Sequence, residues 1–500
     1  MKLSSEFLSF YPVGCMSRIV FLFILLFIGV GFSACSPPVP VSTPVKTIHP
    51  EVTATRRTPL PPTRSVLTPT QTPEPVSVLN ITEEQLKGVV VRFWHNWSGP
   101  SGDLMQALVE EFNLTNPWGI LAVEIYQGSL DQIDEKLDFS KANSDRPDLV
   151  VGYLHQALTW DEQIGLVDLD DYLKDPIWGY SSQDVADFYP VFWEYDLFQE
   201  KRLGIPAQRY GQLLFYNQSW ARELGFNAAP LSTEMFMQQA CAASSSNNQD
   251  QSGTNDGTGG WVISSEYPAV LSWMLAFDSK IFEVNSTTLK APYDFDQAQV
   301  LQAYIYLREM YDQGCAWLPE NPWPETYFSE RKALFASGSI TDIPYFLDAL
   351  QRAGNTDQWT VLAYPGPEDT QVLNVYGPSF QVLESTEQQQ LAAWLLLKWL
   401  LEPENQTRLI QTTFAYPLRI SVAQPLQQPG MQPSAWVAAV DLLEYARVEP
   451  ALRSWDLVRW AISDSATQLF RSYTTLEQIP GLVRYLDQTA AELHRMVNED

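Results

Sequence analysis

VVVRFWHNWSGPSG, residues 89–102, is the stretch on which the fold turns. Val89 to Trp94 is apolar except at Arg92, and a short apolar run bounded by turn residues reads as a buried strand. His95 to Gly102 is rich in Asn, Ser, Gly and Pro, the composition of a loop. From Asp103 to Asn113 the period changes. Leu104, Leu108 and Phe112 recur at helical spacing and share one face. Leu121-Ala122-Val123-Glu124-Ile125 reads as a second strand, Leu130, Ile133 and Leu137 as the face of a second helix, and Asp148-Leu149-Val150-Val151 as a third strand. Strand, helix, strand, helix, strand is the pattern of an open α/β sheet. Such sheets bind ligands beyond the carboxyl ends of their strands, which singles out the loops at 95–99 and 152–156.

The chain has 500 residues, enough for more than one lobe with a substantial core. Its formal net charge of −28 repels phosphate backbones and argues against a nucleic-acid partner. The 17 Trp and 22 Tyr fill cores, but such rings also form platforms for sugars. The four cysteines (Cys15, Cys35, Cys241, Cys315) form no CxxC pair, and the four histidines are scattered, so no metal site is expected. No GxSxG, HExxH or P-loop motif occurs, and no cofactor is implied.

Upstream of the strand lie two segments of different character. Ile19 to Phe32 is a 14-residue apolar run preceded by Arg18, too short for a comfortable membrane span but suited to a signal-peptide core. It ends in Phe32-Ser33-Ala34-Cys35, which resembles a lipobox, although Phe32 stands where that pattern carries Leu. The resemblance implies a signal peptide over 1–35, lipidation of Cys35 and anchoring to the outer face of the cell membrane. Met16 is the expected true start. Residues 36–80 are rich in Pro and Thr and predict a disordered, extended linker. At ~3 Å per residue it reaches on the order of 100 Å.

Downstream, Arg202 to Pro206 leads into the apolar run Leu213 to Asn217. Residues 240–260 read as a polar surface loop. Asn248-x-Asp250-x-Ser252-Gly253 echoes a calcium loop, but Gly259 occupies the twelfth position, where the bidentate Glu is needed. Val300 to Gln313 predicts a helix ended by Gly314. Ser385-Thr386-Glu387-Gln388 predicts the capped start of another, which runs through LAAWLLLKWLL to Pro403.

In order along the chain, FWHNWSG (93–99), RPDLVVGYLHQ (146–156), LGIPAQRYGQLLFYNQSWARELGF (203–226), YFSERKALFASGSITDIPYFLDAL (327–350), VYGPSF (375–380), AAWLLLKWLLEPENQ (392–406) and FAYPLR (414–419) resemble segments of extracellular solute-binding proteins of family 1, the maltose and multiple-sugar class of ABC importers. The resemblance implies an α/β, two-lobe periplasmic-binding-protein-like fold of type II with the lobes joined by a hinge. One lobe would be 81–208 plus 377–425, the other 209–376 plus 426–495. The expected function is capture of a small solute, a mono- or oligosaccharide, in the interlobe cleft by a monomer that delivers it to the permease transmembrane subunits, without catalysis. A secreted carbohydrate-active enzyme and a sensory solute-binding lipoprotein are the alternatives.

Sugars need polar groups for hydroxyls and rings for their CH faces. The candidates from the loops are His95, Trp97 and Ser98 in the first loop, Tyr153 and His155 after the third strand, Tyr345 in the aromatic loop and Tyr376 at the return crossing, and the resemblance implies Arg209 and Tyr210 at the hinge, Glu266 and Tyr267 in the second lobe and Trp455 in the tail. Trp273 and Trp460 are read as core, and a hinge salt bridge is the other reading of Arg209. Cys241 and Cys315 both fall in the second lobe, where an exported protein permits a disulfide.

Overall fold

The computed structural model describes residues 76–140, 146–282 and 292–499. The expectations for Met16, Cys35 and the linker as far as residue 75 lie outside these residues. The end of the expected linker is tied down: Ser77 Oγ and Val78 N donate to the Asp175 carboxylate at 2.7 and 2.8 Å.

The opening stretch forms the strand Val90–His95, one residue longer at its carboxyl end than the sequence suggests. It pairs in parallel with Leu121–Tyr126 on one side and Leu149–Gly152 on the other. Ser379–Val382 and Ile205–Pro206 extend this first sheet antiparallel. Leu149–Gly152 is buried along its whole length, as expected of a strand covered on both faces. Gly99–Thr115 forms the first long helix, starting four residues before the expected Asp103 because Gly99 and Pro100 can open a helical turn. The apolar run of Glu387–Leu400 is a core helix capped by Thr386. Its Lys398 bends into the core to donate to the carbonyls of Trp178 and Gly179.

The second sheet runs Tyr364–Pro365, Gln371–Tyr376, Tyr210–Asn217, Ala333–Ser339, Gly259–Val262, Ala316–Trp317. Trp359–Leu362 adds to Tyr210–Asn217, and Ala446–Val448 to Gln371–Tyr376. One apolar cluster fills the first lobe and continues onto one face of this sheet, and a second fills the opposite face. The 240–260 segment corrects the sequence reading. Thr233–Gln249 is a helix, and only 250–258 is a turn, closed by the Asp250 carboxylate, which accepts from Ser252 N and Asn255 Nδ2. The helix persists because Ala240, Ala243, Ser244 and Asn247 are buried on one face, which outweighs the local Ser and Asn preferences. Cys241 in this helix is bonded to Cys315, with the Cα atoms 4.2 Å apart.

Two of the segments that cross between the lobes pack together. Residues 207–209 and 377–378 lie side by side, with Ala207 N and Gln208 N both donating to the Pro378 carbonyl. Tyr416 packs beside them, its N–H donating to the Arg209 carbonyl at 2.9 Å. Gly377, at φ +147°, permits this contact: a Cβ there would stand 2.3 Å from the Gln208 oxygen.

Candidate functional site

A cavity of about 630 Å³ opens at the carboxyl ends of three strands of the second sheet, Gly259–Val262, Ala316–Trp317 and Ala333–Ser339. Ser264, Glu266 and Tyr267 enter it from the loop after the first of these strands, and Ser337, Ser339 and Asp342 from the end of the third. Gln212 and Tyr376 close it at the crossing strands. Tyr267 opens a helix, Tyr267–Ala276, whose Pro268 is placed early enough to cost no hydrogen bond. Ser339 caps the turn that Asp342 completes: the Asp342 carboxylate accepts from Ser339 N at 2.7 Å. Burial pushes the Asp342 carboxyl above its ordinary range.

Beside the cavity lies a dense polar and aromatic cluster. The Tyr210 and Tyr376 rings meet with centroids 5.7 Å apart. Tyr153 stacks on His155 at 5.2 Å, and Tyr267 meets Trp455 edge-on at 6.3 Å. Glu449, only 4% exposed, accepts from Trp455 Nε1 at 2.8 Å. Burial pushes its carboxyl up to about 7, while Trp455 and Arg459 pull the other way. Arg459 reaches across from the tail helix Trp455–Leu469 to Asp131 of the first lobe at 3.0 Å, and His155 Nε2 lies 3.3 Å from Asp456 Oδ1. Arg453 pairs with Glu162 in the same direction. Burial lowers the His155 pKa against the pull of Asp456.

The arrangement offers rings, hydroxyls and carboxylates around the cavity. Residues 107–440 match the family described as bacterial extracellular solute-binding protein. The chain belongs to that family. Solute binding outside the cytoplasm is therefore its function, and its relatives in the family are binding proteins. None of the curated proteins matches the chain in sequence. Among solved structures, this solute-binding protein is similar to the sugar-binding protein MalE of Xanthomonas citri, at 22% identity and a TM-score of 0.67 over 82% of this chain and 100% of that one. It is also similar to the cyclic α-maltosyl-1,6-maltose binding protein of Arthrobacter globiformis, at 16% identity, a TM-score of 0.67, and coverage of 81% and 99%. A third is UgpB of Mycobacterium tuberculosis, solved with glycerophosphocholine, at 16% identity, a TM-score of 0.63, and coverage of 81% and 99%. At these identities the likeness establishes the two-lobe periplasmic-binding-protein-like fold.

The solute-binding protein brings only part of the expected residue set together. Glu266, Tyr267 and Tyr376 line the cavity. Tyr210 packs on Tyr376 and donates to Gln208, and Tyr153 and His155 face the tail helix. The first loop does not reach the cavity. His95 is buried and bonded to Glu124 at 2.8 Å, Trp97 packs on Phe93 and Phe380 and donates to Gln208, and Ser98 is an exposed helix cap. The early start of the helix at Gly99 shortens this loop and turns its rings into the core. Arg209 is buried and committed: it pairs with Asp196 at 2.8 Å and donates to the Pro378 carbonyl and Ser379 Oγ. Tyr345 is 63% exposed and does not line the cavity. The two tail tryptophans are exchanged relative to the sequence reading: Trp455 is fully buried against Glu449, whereas Trp460 is 50% exposed beneath Arg459. Trp273 is core, as read.

Sequence reasoning missed Glu449, Asp342, Gln212 and the Asp131–Arg459 pair. Asp342 alone carried a local signal, since Ser339 and Asp342 have capping-box spacing.

Proposed function

We propose that the chain is the extracytoplasmic receptor of an ABC importer, tethered by lipid on Cys35, and that it captures a mono- or oligosaccharide between its lobes. The observation that supports this most is the convergence of Tyr153, Tyr210, Tyr267 and Tyr376 from both lobes and both crossing strands beside one cavity of about 630 Å³. Its volume lies in the range of small-molecule sites, about 300–1,000 Å³. Paired rings and hydroxyls suit a sugar's CH faces and OH groups. Two of the solved structures named above are binding proteins for sugars.

In this reading the lobes are 81–208 plus 377–425 and 209–376 plus 426–495, a monomer delivers the solute to the permease subunits, and no chemistry is done on it. The crossing strands act as the hinge, with Arg209 and Asp196 as its buried strut. The test is thermal shift and calorimetry of the intact chain with a panel of mono- and oligosaccharides. A saturable shift, with the saccharide recovered unchanged, is the expected result. Cleavage would favour the enzyme reading, and absence of any saccharide binding would overturn the sugar assignment. Cys35→Ser should move the chain from the membrane to the soluble fraction.

A further inference from the structure

On its sheet side the cavity ends a hydrogen-bond chain that starts in the core. Tyr210–Asn217 and Ala333–Ser339 pair antiparallel there, with Gln212 opposite Ser339 and Leu214 opposite Ser337. Alternation along the two strands puts Gln212 and Ser337 on one face. Both line the cavity, and they are only 6% and 5% exposed. Trp261 and Tyr364, buried in the second apolar cluster, stand behind them.

Trp261 Nε1 donates to Ser337 Oγ at 3.2 Å, and the Tyr364 hydroxyl donates to the same oxygen at 2.8 Å. A serine hydroxyl has two lone pairs and one proton. Both lone pairs of Ser337 are taken, so toward the cavity it can only donate. Among the described residues none accepts its proton. Gln212 Nε2 donates to the Tyr364 hydroxyl at 3.4 Å, and Gln212 Oε1 accepts from no described residue. A buried donor and a buried acceptor thus meet the cavity together, both tied to the Tyr364 hydroxyl. Leaving such groups unmet costs more than a bond gains. One hydroxyl completes both, because it accepts and donates at once. An ether oxygen only accepts, and an ammonium only donates.

We propose that Ser337 and Gln212 bind one free hydroxyl of the solute, Ser337 donating to it and Gln212 Oε1 accepting from it, with Trp261 and Tyr364 as positioning residues that fix this polarity. The proposal rests on the carbohydrate-receptor reading and deepens it: the sugar unit against the sheet carries an unsubstituted hydroxyl there.

The test is calorimetry on the intact chain with maltose, cellobiose and trehalose, then with the singly deoxygenated and singly O-methylated forms of whichever binds. Mannitol is included as a hydroxyl-bearing solute that is not a saccharide. At one position alone, deoxygenation and O-methylation should each weaken binding about tenfold or more, the effect of leaving a buried donor and acceptor unmet. In Ser337→Ala the deoxygenation penalty should fall to about twofold or less, with the deoxy form bound as tightly as by the wild type, which also shows that the cleft has folded. Gln212→Met gives up only the long bond to Tyr364 within the protein, and should lower the same penalty by about twofold or more. It keeps the test decisive where Ser337→Ala, by leaving Trp261 and Tyr364 without their acceptor, does not fold. Equal penalties at every position, or wild-type selectivity in either variant that folds, would overturn the hydroxyl site and leave the carbohydrate reading intact. Mannitol binding weakened by the variants, with no saccharide bound, would uphold the hydroxyl site and overturn the carbohydrate reading. Binding of nothing in the set would overturn both.

Discussion

Glu449 stands between Trp455 and Asn374 at the end of the second sheet, and its surroundings decide its charge. Its pKa in the folded protein, about 7, lies above the ordinary value of 4.5. Between those values the folded protein holds a proton that the unfolded chain has released. Stability from this group is therefore lost as pH rises from 4.5 through 7, and the cost is complete above that. Glu449→Gln keeps the acceptor for Trp455 and removes the charge. We expect it to stabilise the protein by about 3 kcal/mol at pH 8 and hardly at all at pH 5. Urea denaturation at the two pH values checks this, and an equal effect at both would refute it. The exchange of Trp455 and Trp460 belongs to the same scale. Five helical positions place them about 140° apart, so only one can face the core. Their identical chemistry gives no means of telling which, because the choice depends on where Glu449 and Tyr267 lie.

At the scale of elements, local pattern was a good guide where periodicity was strong. The first three strands, their helices and the helix Glu387–Leu400 follow from apolar spacing and from the cap at Thr386. It failed over 240–249, where Ser, Asn and Gln run through a helix that the second lobe buries. The disulfide pins that helix to the strand start at Ala316. Replacing Cys241 and Cys315 by Ser should lower stability by roughly 4 kcal/mol, the chain-entropy value for a loop of this length, measured by urea denaturation under non-reducing conditions. No change in midpoint would refute the chain-entropy contribution. The neighbouring strand has no room to spare: a Cβ at Gly260 would stand 1.9 Å from the Cys315 carbonyl oxygen. Gly260→Ala should therefore cost about 1–3 kcal/mol through overpacking, and an unchanged midpoint would count against that close approach.

The tail ties the molecule together across its lobes. Asp131–Arg459, His155–Asp456 and Glu162–Arg453 all join the first lobe to the tail segment around Trp455–Leu469. Arg459→Met removes a buried guanidinium and leaves Asp131 and Asp456 without it. Such a loss is worth about 1–2 kcal/mol where the carboxylates remain partly solvated. We expect a larger radius of gyration in the ligand-free variant by small-angle scattering and solute affinity lowered about 5- to 30-fold. An unchanged radius would mean that the crossing strands alone fix the lobe angle. The sequence by itself determined the α/β class, the order of the main strands and helices, and cavity candidates at Glu266, Tyr267 and Tyr376, because periodicity and ordered segments are local properties of the chain. Only the tertiary structure decided that His95, Trp97 and Arg209 serve the core and hinge, that Tyr345 faces solvent, and that Glu449 and Asp342 stand at the cleft. Those outcomes depend on which residues become neighbours across 100 or more positions, and on burial, which turns a carboxylate's solvation into a cost that no local spacing records.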